Sequence, residues 1–190
     1  MPKILGESLA AHREQVRAKV FEAMRTLLYT RGFDGITLTS VATAAGVGRT
    51  AIYNHFPDRE ALLVAFVEHE TSLYVQRLQS ALSGVTDPVE ALAVFVRMHL
   101  EVLAARHMPP GEKLNAVLSP EAYSQMSDHV APITSELRTI LAQGMSAGQM
   151  TSADINALIP MIMGALAAAG DIDVEAAVGF ILRATGVRRP

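Results

Sequence analysis

The chain has 190 residues, of which half are apolar, 18% charged and 5% aromatic, with no cysteine and a net charge of −3. This composition excludes global disorder, a disulfide framework, a thiolate metal centre and a Cys nucleophile. No run reaches the ~18 consecutive apolar residues of a membrane span. The N-terminus lacks a signal peptide's apolar core and cleavage site, so a soluble cytoplasmic protein is expected.

The charge is unevenly placed. Residues 1–59 carry eight Lys/Arg against five Asp/Glu, and the remainder carries eight against fourteen. A basic N-terminal third on an acidic body suits a nucleic-acid-binding head on a body with another task.

In chain order, residues 1–9 read as a frayed arm. From about Ala11 to Arg31, Val16, Val20, Phe21, Met24, Leu27 and Leu28 recur at steps of three and four, the period of an amphipathic helix. Gly32 and Gly35 end it. Thr37 supplies a hydroxyl cap for a short helix, about Leu38 to Ala45, with Val41, Ala42 and Ala45 turned inward. Gly46 can take a positive φ in the turn that follows, and Val47 plugs the space behind it. A second short helix, Arg49 to His55, buries Ile52 and is closed by Phe56 and Pro57.

Beyond this lie a long helix from about Asp58 to Leu82 and a very apolar one from about Pro88 to Arg106. A short helix from about Glu112 to Val117 follows the Pro109-Pro110-Gly111 break. A long helix then runs from Pro120 to about Gln143, and Gly144 to Thr151 reads as a loop. Two last helices span about Ser152 to Ala169 and Asp173 to Thr185, with Asp171 or Asp173 as cap. No stretch has a strand period. The expected fold is all-α, about nine helices, with a three-helix head at residues 1–57 and a helical body at 58–190.

Thr37 to Phe56 has the form of a helix-turn-helix, a unit that sets its second helix in the DNA major groove. Gly48, Arg49, Thr50 and Ala51 form the exposed first turn of that helix. Arg49 suits a bidentate pair with a guanine edge or a phosphate grip, Thr50 a hydrogen bond to either, and Ala51 a thymine methyl. Tyr53, Asn54 and His55 continue the exposed side. Thr39 and Ser40, at the start of the preceding helix, fall where backbone contacts are expected. Arg59, with Arg17 and Lys19 of the first helix, would add phosphate contacts. Against these stand plainer readings: Tyr53 as a ring packed on the first helix, and Arg17, Arg25 and Arg31 as a solvated face.

These residues carry a resemblance. Arg17, Gly32-Phe33, Thr37, Val41-Ala42, Ala45-Gly46-Val47, Tyr53, His55-Phe56, Arg59 and Leu62 stand at the spacing of the TetR family of bacterial transcriptional regulators, which the chain resembles over residues 13–65. Two positions depart from the pattern: Gly48 where the family often has Ser, and Ala51 where Thr or Ser is common. The resemblance implies a homodimer on a pseudopalindromic double-stranded DNA operator, most simply a repressor released by a small apolar effector. It implies phosphate contacts for Tyr53 and His55 as well.

The expected dimer interface is the last two helices, through residues such as Ala157, Leu158, Met161, Ile162, Ala165, Leu166, Ala177, Val178, Phe180, Ile181 and Leu182. About half of these are also needed for the chain's own core. Candidate effector contacts are Phe66, Phe95, Met98, His99, Val102, Tyr123, Met126, Val130 and Ile133, with an ordinary core as the competing reading. His69, His99, His107 and His129 lack a metal-ligand repeat, and no metal or cofactor is expected. There is no nucleophile turn, phosphate loop or HExxH, so catalysis is not expected.

Overall fold

The computed structural model describes residues 3–105, 118–170 and 172–187. Among them there are eight helices and no strand: α1 Lys3–Arg31, α2 Leu38–Ala45, α3 Arg49–His55, α4 Arg59–Leu82, α5 Pro88–Ala105, α6 Pro120–Ser146, α7 Ile155–Ala167 and α8 Val174–Ala184. The short helix expected at 112–117, the Pro-Pro-Gly break and the Asp171 cap lie outside the described residues. Asp173 caps α8, its side chain accepting from Ala176 N–H.

Three boundaries differ from the sequence reading, one being the start of α7, which begins at Ile155 behind its Asp154 cap instead of at about Ser152. The expected arm is helical from Lys3, because Leu, Glu and Ala carry helical propensity upstream of Val16, where the apolar period begins. The expected loop at Gly144 is still helix, which continues to Ser146. A Cβ on Gly144 would come within 2.5 to 2.9 Å of the Met150 side chain. This glycine is therefore kept for close approach rather than for a turn.

The helices form two compact units, the described residues of 3–67 with 118–126 and those of 68–105 with 127–187. In the first, α1 buries Val20 and Met24, α3 buries Ile52, and α4 buries Leu62 and Leu63, all without solvent access. Phe21 joins them, 6.0 Å from Phe56 and 5.9 Å edge-on to Phe66 between ring centroids. Such aromatic pairs add about 0.5–1.5 kcal/mol to their area burial. Ala45 and Val47 pack partly buried against this core.

The second unit is centred on α5. Leu92, Phe95 and Val96 are fully buried, and Ala91, Ala93 and Leu100 nearly so, which covers more than one side of the helix. Leu78 of α4, Leu137 and Leu141 of α6, Ile162 and Leu166 of α7, and Val178 and Ile181 of α8 complete it. An ion pair ties α5 to α8: Arg97 Nε–H donates to Glu175 Oε1 at 2.7 Å and Nη2–H to Oε2 at 3.2 Å, while Nη1–H reaches Glu90 at 3.3 Å. The bonded guanidinium holds the Glu175 carboxyl below its ordinary range. A depressed carboxylate stabilises the fold above its unfolded pKa and loses that contribution as pH falls through the folded value. Being exposed, the pair contributes little. Glu175→Gln should lower Tm slightly at pH 7, and the difference from wild type should close as pH drops below the ordinary 4.5. Thermal melts across pH 7 to 3 check this.

Candidate nucleic-acid interface

α2 begins with a reciprocal cap. Thr37 Oγ1 accepts from Ser40 N–H at 3.0 Å, and Ser40 Oγ accepts from Thr37 N–H at 3.0 Å while donating to Thr37 C=O at 2.8 Å. Ser40, read from sequence as a backbone contact, thus has its hydroxyl proton engaged within the cap. The Thr-x-x-Ser spacing is the signal that pointed to this role, since it is a capping box with Ser in place of the usual Glu or Gln. Thr39 is exposed, and its hydroxyl has no partner among the described residues.

α2 ends on Gly46 at φ 64°, ψ 32°, whose N–H bonds back to Thr43 C=O at 3.2 Å, and Val47 N–H reaches Ala42 C=O at 3.0 Å. A left-handed residue here reverses the chain within two positions, and glycine adopts it without Cβ strain. α3 starts after Gly48, which is extended at φ −63°, ψ 145° and offers no side-chain cap. A Cβ there would meet nothing within 4 Å.

The head side chains separate by what they touch. Arg49, Thr50, Asn54 and Lys19 are exposed, and Ala51, His55, Arg17 and Arg59 are half-buried. Tyr53 is 45% exposed, so its ring is not a core element. Arg59 lies over the Phe33 ring at 4.4 Å and Arg17 over Phe21 at 5.3 Å, cation–π contacts that fix the stems. Neither these two arginines nor Arg49 and Lys19 has an ion-pair partner among the described residues. Arg25, by contrast, is spent on Glu22. The result is a set of cations in the head without counter-ions among the described residues, the disposition needed to meet phosphates.

The candidate effector residues fall in both units. Phe66, Met126 and the half-buried Tyr123 belong to the first core. Phe95, His99 and Ile133 are buried in the second, Met98 and Val102 are half-buried against it, and Val130 is 36% exposed. Within the second unit His99 stacks on Phe95 at 5.6 Å with 7° between planes, and its Nδ1 lies 3.4 Å from the Tyr74 hydroxyl. Tyr74 was not singled out from sequence. The buried residues of α4 in this unit include Thr71, Tyr74 and Leu78. The Thr71 hydroxyl is buried without a hydrogen-bond partner among the described residues. No group of three metal-ligating side chains occurs among the described residues, and no helix among them is long and apolar enough to cross a membrane.

Comparison with known proteins agrees with the head. Residues 20–66 match the family model described as bacterial regulatory proteins, tetR family. The HTH-type transcriptional regulator AlkX of Mycobacterium tuberculosis is 38% identical over 74 residues, which is 39% of this chain but only 35% of that protein. The HTH-type transcriptional regulator RutR of Escherichia coli is 26% identical over 158 residues, covering 80% of this chain and 73% of RutR. Among solved structures, the fatty acid degradation regulator FadR of Bacillus halodurans superposes with a TM-score of 0.73 at 22% identity, over 92% of this chain and 97% of that one. At that identity only the fold is shared. RolR in complex with resorcinol gives a TM-score of 0.66 at 26% identity, over 94% and 91%.

The caps make a stability prediction. Thr37→Ala should cost about 1 kcal/mol, and Gly48→Ser should gain a few tenths, because a cap hydroxyl fits the open space at position 48. Urea midpoints at constant m-value measure both.

Proposed function

Because residues 20–66 belong to the TetR family of bacterial regulatory proteins, we propose that the chain is a ligand-responsive transcriptional repressor that binds a pseudopalindromic operator as a homodimer and is released by a small apolar molecule. The observation that carries the reading is the exposed run Gly48 to Thr50, with Arg49 without an ion-pair partner among the described residues and Arg17 and Arg59 of the same head held on aromatic faces. Arg49 and Thr50 read base edges. Tyr53, His55, Arg59, Arg17, Lys19 and Thr39 fix position on the backbone.

A second copy of the chain is the natural partner for α7 and α8. Their inner residues Ile162, Leu166, Ala177, Val178 and Ile181 are used up in the chain's own core. Their outer face still shows Met161 at 69%, Phe180 at 56% and, between the helices, Ile172 at 55% exposure. Ala157, Gly164 and Ala168 on the same exposed surface allow close helix approach. A twofold interface there yields two heads for two half-sites.

Release follows if the effector binds better to the conformation whose heads are misspaced, and the coupling is then reciprocal. RolR, with its bound resorcinol, supports a small-molecule effector. The stacked Phe95–His99 pair of the second unit is the proposed contact. α4, shared by both units, carries the change.

Fluorescence anisotropy with the DNA upstream of the protein's own reading frame tests the reading. Specific binding should show a steep salt dependence, and Arg49→Ala should cost about 1–3 kcal/mol and relax selectivity at one position. No preference over random duplex would sink the claim. Phe180→Glu should convert dimer to monomer in sedimentation and weaken operator binding together. A monomeric wild type would remove the interface from the account.

A further inference from the structure

One polar group of the second unit is not used by the fold around it. Thr71 of α4 is 2% exposed, and among the described residues its hydroxyl is the buried side-chain oxygen left without a hydrogen bond. A hydroxyl buried in that way has lost its bonds to water and gained none in return. One helical turn along the same face of α4 stands Tyr74, which meets His99 of α5 edge-on at 5.8 Å between ring centroids, its hydroxyl 3.4 Å from His99 Nδ1. His99 is itself stacked on Phe95. The backbones of α4 and α5 do not approach closely, and these rings fill the distance between them. The shorter Thr71 lies one turn along the same seam. The buried Thr185 hydroxyl, by contrast, donates to the Ile181 and Leu182 carbonyls. No Lys, Arg, Asp or Glu is among the buried residues described.

We propose that the Thr71 hydroxyl anchors the effector, and that the effector is an uncharged aromatic ring carrying a hydroxyl, a molecule of the phenol class. The proposal rests on the ligand-responsive reading above and supplies the chemistry of the ligand. A threonine hydroxyl both donates and accepts, so a ligand hydroxyl satisfies it in either sense. The neighbouring rings favour a flat partner, because a further aromatic ring extends a set that is already edge-on and stacked, and an alkyl chain forgoes that contribution. Charge excludes other classes. With no buried Lys, Arg, Asp or Glu among the described residues, a carboxylate or an ammonium would lose its hydration and gain no fixed opposite charge. A wholly apolar ring avoids that cost but leaves Thr71 unpaired. An uncharged hydroxyl on a ring meets both conditions.

The test is calorimetric titration of the full chain with phenol, toluene and benzoate at neutral pH, with thermal melts of the same samples. Phenol should bind on the order of tenfold more tightly than toluene, which has a methyl in place of the hydroxyl, and benzoate should not bind measurably. Thr71→Val keeps the shape of the side chain and should bring phenol down to the toluene affinity, whereas Thr71→Ser should restore most of the difference. Without ligand, Thr71→Val should melt at or above the wild-type Tm, because it removes an unpaired hydroxyl. In fluorescence anisotropy, phenol should weaken binding of the wild type to the upstream duplex. Equal affinity for phenol and toluene, benzoate binding as tight as phenol, or unchanged phenol affinity in Thr71→Val would overturn the proposal. So would a Thr71→Val melt well below wild type without ligand, the mark of a hydroxyl bonded in the folded chain by protein or by a buried water. If the wild type binds the duplex and phenol leaves that binding unchanged, the ligand class is wrong and the regulator reading stands. If the wild type binds no duplex at all, the regulator reading fails and the proposal with it.

Discussion

The turn at Gly46 is the constraint on which the head depends. Its φ of 64° reverses the chain, its N–H and that of Val47 close the last carbonyls of α2, and Val47 is delivered against the core. Only after that reversal can α3 lie with Ile52 fully buried and Arg49, Thr50 and Asn54 outward. A Cβ at Gly46 would meet no neighbour. The glycine is required by the backbone angle alone, which L side chains adopt only at a cost of roughly 1–2 kcal/mol. Seven residues are too few to hold a helix by their own propensity. The angle of the turn and the burial of Ile52 and Phe56 together hold α3 in place.

Around that helix the polar groups divide into those already committed and those left over. Ser40 is bound into its cap, Asp58 accepts from Ala61 N–H at 2.8 Å to start α4, and Glu60 is occupied by the Ser119 hydroxyl and N–H. Arg17 and Arg59 are steadied by rings instead of carboxylates. A cation–π contact leaves the guanidinium's five N–H donors in the plane of the group unspent. The same side chain can therefore be ordered and still electrostatically available, which an ion pair with an acid would prevent.

The head was legible in the sequence because its determinants are local. Thr37, Gly46, Gly48 and Pro57 act within a few residues of themselves, and the boundaries of α2 and α3 follow from them. What escaped was set by partners distant in sequence. Met150 folding onto Gly144 carries α6 past the expected loop. The buried residues of α4 include Tyr74 because His99 of α5, itself stacked on Phe95, meets it there. The inner and outer residues of α7 and α8 are separated by burial, which depends on α5 and on no local signal.

The contact between Gly144 and Met150 ties two positions into a single choice. Any side chain at 144 takes the volume the Met150 thioether fills, so enlargement at one site must be matched by reduction at the other. Related chains that keep this helix end should change the two together, as a volume-conserving pair. The same closeness makes the thioether a point where gaining one oxygen leaves no room for the existing packing. Oxidation of a single buried methionine would then unwind the end of α6, far along the chain from the exposed start of α3.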